Sequence, residues 1–195
     1  MKVLVTGGSG FLGLALCRAL VAQGHQVSSF QRSFSTELER LGVQQVLGAL
    51  HNRDKVLEAL GGQDAVMHNA AKASSWGSWD DFYQTNVLGT QNIIEGCLQL
   101  GIQKLVYTST PSVVHQGRTA VAGGNENNTP YASHFSAHYP HTKMLAEKLL
   151  LATNSQQLAT IALRPRLIWG PGDTQLLPRL VARARIMTLG HVSRT

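Results

Sequence analysis

Tyr139 and Lys143 are the pair of side chains whose types and spacing best suit a chemical step. They stand four residues apart at the start of a predicted helix, so both lie on one helical face. A phenol is a poor acid or base at neutral pH, because its ordinary pKa is about 10. A neighbouring ammonium favours the phenolate and lowers that pKa, which predicts proton exchange at Tyr139 under the influence of Lys143.

A hydroxyl group is expected beside this pair, at the end of the strand predicted over residues 104–109. Ser109 and Thr110 both stand there, and the residues alone leave the choice between them open. A hydroxyl at this place would bind a carbonyl or alcohol oxygen and polarise it. Tyr139, Lys143 and one of these two hydroxyls therefore predict chemistry at a ketone or a secondary alcohol.

A glycine-rich segment near the start of the chain predicts a phosphate-binding loop. From the sixth residue the chain reads TGGSGFLG, between a predicted strand and a predicted helix. Gly7, Gly10 and Gly13 would allow a tight turn, close approach of the backbone to a pyrophosphate, and close packing of helix on strand. Because N-terminal helix amides attract anions, we expect a dinucleotide against this loop, with Phe11 and Leu12 beside the glycines.

The segments that must position these groups alternate between strands and helices. Short β-branched runs predict strands, and apolar residues spaced three and four apart predict helices. Such alternation indicates βαβ units, hence an α/β fold with a doubly wound, Rossmann-like parallel sheet. Ligands of such sheets bind beyond the carboxyl ends of the strands, where the glycine loop and Ser109 both stand. The predicted strands are 2–6, 26–30, 43–47, 64–68, 104–109 and 158–163, and the predicted helices are 11–23, 54–60, 79–100, 139–153 and 175–187.

The composition is that of a globular protein. Hydrophobic residues make up 43% of the 195 residues and charged residues 14%, which argues against a disordered chain. The net charge of +6 comes without any basic and aromatic interleaving, so we expect no nucleic-acid partner. The chain begins with a predicted strand rather than a signal segment, and it contains no apolar run of membrane-spanning length, which predicts a cytoplasmic protein.

Cysteine and histidine usage indicates neither disulfides nor a metal. Cys17 and Cys97 fall on apolar faces of predicted helices, which is typical of buried, reduced thiols. His134, His138 and His141 are closely spaced, but no matching set of cysteines or carboxylates accompanies them. We therefore expect no metal site.

The end of the second predicted strand bears on which nicotinamide dinucleotide is bound. A carboxylate at this place would hold the adenosine ribose hydroxyls and favour NAD. The chain instead has Arg32 and Ser33, whose guanidinium and hydroxyl suit a 2′-phosphate. We therefore expect NADP in preference to NAD.

Together these motifs resemble the extended short-chain dehydrogenase/reductase family, and within it the 3β-hydroxysteroid dehydrogenase branch. The resemblance covers almost the whole chain. It implies a nicotinamide cofactor and a small apolar substrate, either β-keto, β-hydroxy or steroid-like, whose ketone and alcohol forms are interconverted. The segments that carry it are TGGSGFLG at 6–13, HNAAKASSWGSW at 68–79, YTSTPSVVH at 107–115, YPHTK at 139–143 and ALRPRLIWGPGD at 162–173.

The resemblance also implies a role for each residue of the site. Tyr139 would exchange the proton, and Lys143 would bind the cofactor and tune Tyr139. Thr110 aligns with the catalytic serine or threonine of the family, with Ser109 as the alternative. Beyond the glycine loop and Arg32, the cofactor-binding residues expected are Leu50, Asn69, Ala70, Ala71, Lys143 and Pro165.

Two features depart from the family pattern. An aspartate in a Gly-Asp-Leu context usually follows the third strand and bonds the adenine, but this chain has Gly48, Ala49 and Leu50 there. Relatives also continue well past residue 195 and use that part to close the substrate pocket. We therefore expect a dinucleotide-binding domain at 1–174 and the start of a truncated substrate region at 175–195, with the C-terminal substrate domain largely missing. The apolar face left exposed would favour association, for example into a homodimer.

Two alternatives to a reductase stay open at this point. One is a cofactor-binding fragment without turnover, because the substrate region is short. The other is an NAD-dependent sugar-nucleotide epimerase. Sugar dehydration is disfavoured, because Pro111 and Ser112 stand where the dehydratases of the family carry acidic residues.

Overall fold

A single parallel sheet organises the chain. The computed structural model describes residues 1–74, 76–115, 123–173 and 176–192, the last seven of these through their backbone alone. Six strands are hydrogen-bonded in the order β3-β2-β1-β4-β5-β6, so the winding reverses between β1 and β4. This order confirms the doubly wound Rossmann-like fold. The strands are β1 (Lys2–Thr6), β2 (Gln26–Gln31), β3 (Gln44–Leu47), β4 (Ala65–His68), β5 (Lys104–Thr108) and β6 (Ala159–Leu163).

The register of the strands brings their carboxyl ends to one edge of the sheet. Thr6, the last residue of β1, stands between Phe30 of β2 and His68 of β4. His68 in turn is level with Tyr107 of β5. Segments that follow these strands therefore start side by side, which is where a doubly wound sheet binds its ligands.

Helices connect consecutive strands, as parallel pairing requires. Three of them begin at a side-chain cap: the Ser35 hydroxyl accepts from the N–H of Leu38, Asn52 Oδ1 accepts from the N–H of Lys55, and Ser78 and Asp81 form a capping box. The helices are α1 (Phe11–Ala22), α2 (Thr36–Arg40), α3 (Arg53–Leu60), α4 (Trp79–Tyr83), α5 (Gly89–Leu100), α6 (His138–Ala152) and α7 (Leu176–Val192).

Two hydrophobic cores form, one on each face of the sheet. Leu4 and Val5 are successive residues of β1 and therefore point to opposite faces. Leu4 belongs to a larger core with residues of α3, α5 and α6. Val5 belongs to a smaller core with Cys17 of α1 and Leu38 of α2. The sheet is thus buried on both sides around β1, which fixes the glycine loop that follows it.

The helix predicted over 79–100 is interrupted, and this corrects the sequence-based expectation. The residues Gln84–Leu88 form a π-helical turn between α4 and α5. Asn86 stands inside this turn and is buried. Single π turns are frequent at functional sites, because the extra residue per turn redirects side chains.

The chain divides into two compact units, Met1–Pro165 and Arg166–Thr195. The second unit contains α7, whose first amides, those of Leu176 and Leu177, donate to the carboxylate of Asp173. Within the described part of the chain, no helix combines the length and the apolar character needed to span a membrane.

Candidate active site

The loop after β1 has the tight geometry that its glycines predict. Gly7 has a φ of +70° and donates its N–H to the carbonyl of Phe30 at 2.8 Å. A Cβ at Gly13 would stand 2.0 Å from the Gly7 carbonyl oxygen, so α1 packs on the loop more closely than any side chain allows. Gly10 is the N-cap of α1 and makes no side-chain cap bond. The first amides of this 12-residue helix are therefore left for an external anion.

The segment after β4 backs the glycine loop. Thr6 Oγ1 accepts hydrogen bonds from the backbone N–H groups of Asn69 at 3.1 Å and Ala70 at 3.0 Å. A Cβ at Gly7 would stand 3.0 Å from the Cα of Ala70. Two of the expected cofactor-binding residues, Asn69 and Ala70, are thus fixed directly against the loop.

A buried histidine connects this corner to α5. His68 Nδ1 lies 2.8 Å from Thr6 Oγ1, and His68 Nε2 lies 2.9 Å from Thr90 Oγ1. Thr6 Oγ1 already accepts two N–H groups, so its own proton goes to Nδ1, and Nε2 carries the imidazole proton. Burial, helped by the positive charge of Lys143, lowers the pKa of His68 to about 3. The ring is therefore neutral at physiological pH.

Asn86 in the π-helical turn joins the loop after β4 to the first turn of α6. Its Oδ1 accepts from the N–H of Lys72 at 2.7 Å, and its Nδ2 donates to Thr142 Oγ1 at 3.0 Å. The Thr142 hydroxyl donates to the carbonyl of His138 at 2.9 Å. The position of α6 is thereby tied to the loop that backs the glycine-rich segment.

Lys143 is buried, with 1% of its surface exposed. Its Nζ donates to the Thr108 carbonyl at 2.6 Å and sits 3.9 Å from the centre of the Tyr107 ring. Burial lowers the pKa of Lys143 to about 7, against the opposing charge of Glu147. An ammonium has three N–H donors, and among the described residues one carbonyl and one ring face meet this one. A donor thus remains for a hydroxyl group of a cofactor.

Tyr139 and Thr110 come together at the end of β5. Burial raises the pKa of Tyr139, and a hydrogen bond with the Thr110 hydroxyl opposes that rise. The expectation that Lys143 lowers the pKa of Tyr139 is not met in this arrangement, because the Lys143 ammonium is directed at the Thr108 carbonyl. The structure brings the phenol and the threonine hydroxyl together, with Lys143 one helical turn further along.

Ser109 is engaged elsewhere. Its hydroxyl donates to the carboxylate of Glu147, which has 1% of its surface exposed. The same carboxylate accepts from Tyr131 at 2.9 Å and from Arg164 Nη2 at 2.5 Å. Ser109 therefore belongs to a buried ion-pair network, whereas Thr110 faces Tyr139.

Sequence reasoning missed Glu147 and Arg164. One signal was available: Glu147 follows Lys143 by four residues and so lies on the same face of α6. A buried carboxylate needs a partner, and the arginine beyond β6 supplies it. His68 begins one of the motifs quoted from the sequence, but its hydrogen-bond partners and those of Asn86 are visible only in the fold.

The remaining residues expected at the cofactor differ in their surroundings. Arg32 directly follows β2 and is exposed. Leu50 is buried in the larger core, and its carbonyl accepts from Asn92 Nδ2 at 2.8 Å. Their contact with a cofactor stays a prediction. The half-buried ones among these remaining residues are Phe11, Leu12, Ala71 and Pro165.

The residues present fit a dinucleotide. A Cβ at Gly7 or Gly13 would crowd the neighbouring backbone, so glycine keeps the loop tight, and the N-terminal amides of α1 lack a side-chain cap. At the other end of the same edge, Lys143 keeps a donor beside Tyr139. An anion-binding loop and a hydroxyl-binding ammonium on one sheet edge suit a pyrophosphate and a ribose.

The closely spaced histidines pack among aromatic rings. The ring of His141 is centred 4.9 Å from Trp79 and 5.1 Å from Phe135. No group of three potential metal ligands is found in the described residues. Cys17 and Cys97 are free and buried, as predicted, and burial raises their pKa values to about 11 and about 12.

The chain is similar to curated relatives along nearly its whole length. The chain is 56% identical over 185 residues to a 2-alkyl-3-oxoalkanoate reductase of Stenotrophomonas maltophilia, covering 95% of this chain and 56% of the relative. It is 48% identical to the enzyme of the same name from Shewanella oneidensis, covering 97% of this chain and 50% of the relative. The chain thus spans about half the length of these relatives.

Solved structures share the fold. A UDP-glucose 4-epimerase of Thermus thermophilus, in complex with NAD, superposes with a TM-score of 0.77 at 29% identity. The match covers 90% of this chain and 58% of the epimerase. The sequence profile of the 3-beta hydroxysteroid dehydrogenase/isomerase family matches residues 4–192. With its glycine loop and its Tyr139–Lys143 pair in a doubly wound sheet, the chain belongs to the 3-beta hydroxysteroid dehydrogenase/isomerase family.

Proposed function

We propose that this chain carries the cofactor-binding and proton-transfer residues of an NAD(P)-dependent reductase, which interconverts a ketone and a secondary alcohol on an apolar β-keto or β-hydroxy substrate. The observation that carries the proposal is the grouping of Thr110, Tyr139 and Lys143 at the sheet edge that also holds the glycine loop. The identity of 56% with a 2-alkyl-3-oxoalkanoate reductase supports the substrate class.

The residues that would hold the dinucleotide lie along this edge. The glycine loop and the amides of α1 would take the pyrophosphate, with Asn69 and Ala70 behind it. Lys143 would donate to a ribose hydroxyl, and Pro165 would border the nicotinamide end. When bound, the nicotinamide supplies the hydride for reduction or accepts it for oxidation.

Thr110 and Tyr139 would handle the substrate oxygen. The Thr110 hydroxyl donates a hydrogen bond to the carbonyl oxygen and polarises it. The Tyr139 phenol then gives its proton to the oxygen as negative charge develops there. Lys143 would act through the cofactor rather than directly on the phenol, because its ammonium is directed at the Thr108 carbonyl. Ser109 has no direct part, because its hydroxyl is committed to Glu147.

NADP is the dinucleotide we expect this chain to prefer. Gln31 ends β2 where a carboxylate would favour NAD, and the exposed Arg32 follows it. Calorimetric titration with NADPH and NADH, on wild type and Arg32→Ala, tests this preference. We expect tighter binding of NADPH by about tenfold, as for one charge-assisted contact, and loss of the difference in the variant. Equal affinities in the wild type would contradict the preference.

Turnover is tested with NADPH and a 2-alkyl-3-oxoalkanoate, by following the loss of NADPH absorbance. We expect oxidation of NADPH by the wild type and a loss of at least about a hundredfold in Tyr139→Phe, because general acid catalysis contributes that much. Dinucleotide binding without turnover, unchanged by Tyr139→Phe, would instead identify a cofactor-binding fragment.

A sugar-nucleotide epimerase is the second candidate, favoured by the fold shared with the UDP-glucose 4-epimerase. An epimerase reuses its dinucleotide and keeps it bound. Denaturing the purified protein and measuring the NAD that it releases into the supernatant distinguishes the two functions. One equivalent of NAD carried through purification would favour the epimerase over the reductase.

The proposal extends to location and assembly. Free, buried cysteines fit a reducing compartment, so we propose the cytoplasm. Ile161 and Leu163 of β6 are exposed apolar side chains, and a homodimer is the simplest association that would cover such a surface. Light scattering on the purified chain would report the mass directly, and a monomer would contradict the dimer.

A further inference from the structure

The loop after β2 is held at both ends by one side chain, Gln45 of β3. Gln45 Oε1 accepts from the backbone N–H of Ser35 at 2.8 Å, and Gln45 Nε2 donates to the carbonyl of Ser35 at 2.9 Å. The same Oε1 accepts from Gln31 Nε2 at 2.8 Å. Gln31 and Ser35 flank residues 32–34, so a single amide fixes both ends of a three-residue loop.

The amide of Gln31 is itself engaged on both sides. Its Nε2 donates to Gln45, and its Oε1 accepts from the hydroxyl of Ser29. A Cβ at Gly8 would stand 2.1 Å from Ser29 Oγ, so the glycine loop rests directly on this serine. A polar network of neutral groups thus runs from the glycine loop through Gln31 to the loop after β2.

The network has two consequences for a ligand. Gln31, with 7% of its surface exposed, has its amide turned into the network rather than toward a ribose. The exposed Arg32 and Ser33 are carried on a loop whose ends are fixed. A loop held in place before binding loses less conformational entropy when its side chains close on a phosphate.

We propose that Gln45 is a positioning residue for dinucleotide specificity, which presents Arg32 to the 2′-phosphate of NADP by holding Gln31 and Ser35. The inference rests on the proposed function, because it assumes that the chain binds a nicotinamide dinucleotide at this edge. A residue of β3 would thus influence dinucleotide specificity without itself contacting the phosphate.

The test compares Gln45→Leu with Gln44→Leu, a change at the exposed neighbour on the same strand. Each variant of the full chain is titrated calorimetrically with NADPH and with NADH. For Gln45→Leu we expect NADPH affinity to fall by about three- to tenfold, the range of one or two hydrogen bonds, with NADH affinity little changed. Gln44→Leu should leave both affinities at wild-type values.

A second pair of variants distinguishes positioning from general loosening of the fold. In the Arg32→Ala background, Gln45→Leu should produce no further change in the ratio of NADPH to NADH affinity. An equal loss for both dinucleotides, or a change in the ratio that persists without Arg32, overturns the inference. Gln45→Met, which keeps the unbranched shape without the amide, serves if Gln45→Leu fails to fold.

The outcomes also separate this inference from the proposed function. A wild-type chain that binds neither dinucleotide overturns the proposed function and the inference with it. A wild-type chain that prefers NADPH, with a ratio unaffected by either substitution of Gln45, overturns the inference alone.

Discussion

The two halves of the ligand-binding edge are built from different chemistry. Around β5 and α6, the groups that hold the site are buried charges: Lys143 and Glu147 each have 1% of their surface exposed. Around β2 and β3, the groups are neutral amides, Gln31 and Gln45, and the charged side chain, Arg32, is exposed. One half keeps its charges inside the protein, and the other presents its charge to solvent.

Under the proposed function, this difference would separate proton chemistry from ligand selection. Burying a charge costs free energy unless it is paired, but it also shifts pKa values into a useful range. Lys143 shows this effect, since burial lowers its pKa to about 7. Amides do not titrate, so the half around β2 and β3 should keep the same shape across pH, and under the proposed function Arg32 would recognise the ligand. Three substitutions test this contrast.

The largest effect is expected from Glu147→Ala. The carboxylate accepts from Ser109, Tyr131 and Arg164, and its removal leaves a partly buried guanidinium without its counter-ion. We expect the free energy of unfolding to fall by about 3 kcal/mol, as for one partner of a buried ion pair. Urea denaturation measures the change. Glu95→Gln is the control, because Glu95 pairs with Arg53 on the surface and should cost less than about 0.5 kcal/mol.

Lys143→Met should alter the pH dependence of stability. The folded-state pKa of about 7 lies below the ordinary 10.5, so the unfolded chain binds the extra proton between these values. This group therefore makes wild-type stability rise from about pH 7 to pH 10.5, and its buried charge opposes folding below pH 7. The stability gained by Lys143→Met should shrink by about 1 kcal/mol per pH unit above pH 7. A gain that is constant between pH 6 and pH 10 would contradict the lowered pKa.

The smallest effect is expected on the neutral side, from Ser29→Ala. The substitution removes the hydroxyl that donates to Gln31 and to the Val5 carbonyl, which should cost about 1 kcal/mol of unfolding free energy. Because no titrating group belongs to this network, the cost should be the same at pH 6 and pH 9. Thermal or urea unfolding at both pH values checks it, and a clear pH dependence would erase the contrast between the two halves.

The fold was largely predictable because its strands are short and five of the six have a glycine within three residues of an end. The strand predicted at 26–30 is observed as β2 at Gln26–Gln31, and the strand predicted at 43–47 is observed as β3 at Gln44–Leu47. The helix α2 was missed, since its five residues bury Leu38 alone and so carry no period. The π-helical turn was missed as well, because apolar spacing over 79–100 fits a continuous helix equally well.

The candidate site was predictable in its residue types but not in its partners. The choice between Ser109 and Thr110 stayed open in the sequence, since both follow β5. The structure separates them through Glu147, which stands 38 residues from Ser109 along the chain. Contacts of this kind depend on how α6 packs against the sheet, and no local pattern records them. The contacts of Gln45 are equally hidden from the sequence, in which it is an ordinary polar residue of a predicted strand.

The central place of β1 has a consequence for biosynthesis. β1 needs two neighbours, and Thr6 meets His68 only after 62 further residues have been made. At translation rates of about 5–20 residues per second, that interval is roughly 3–12 seconds. During this time one edge of β1, with its apolar Val3, Leu4 and Val5, has no strand beside it. The glycine loop thus begins on a strand that depends on late pairing, which makes the nascent chain a candidate for chaperone protection until β4 arrives.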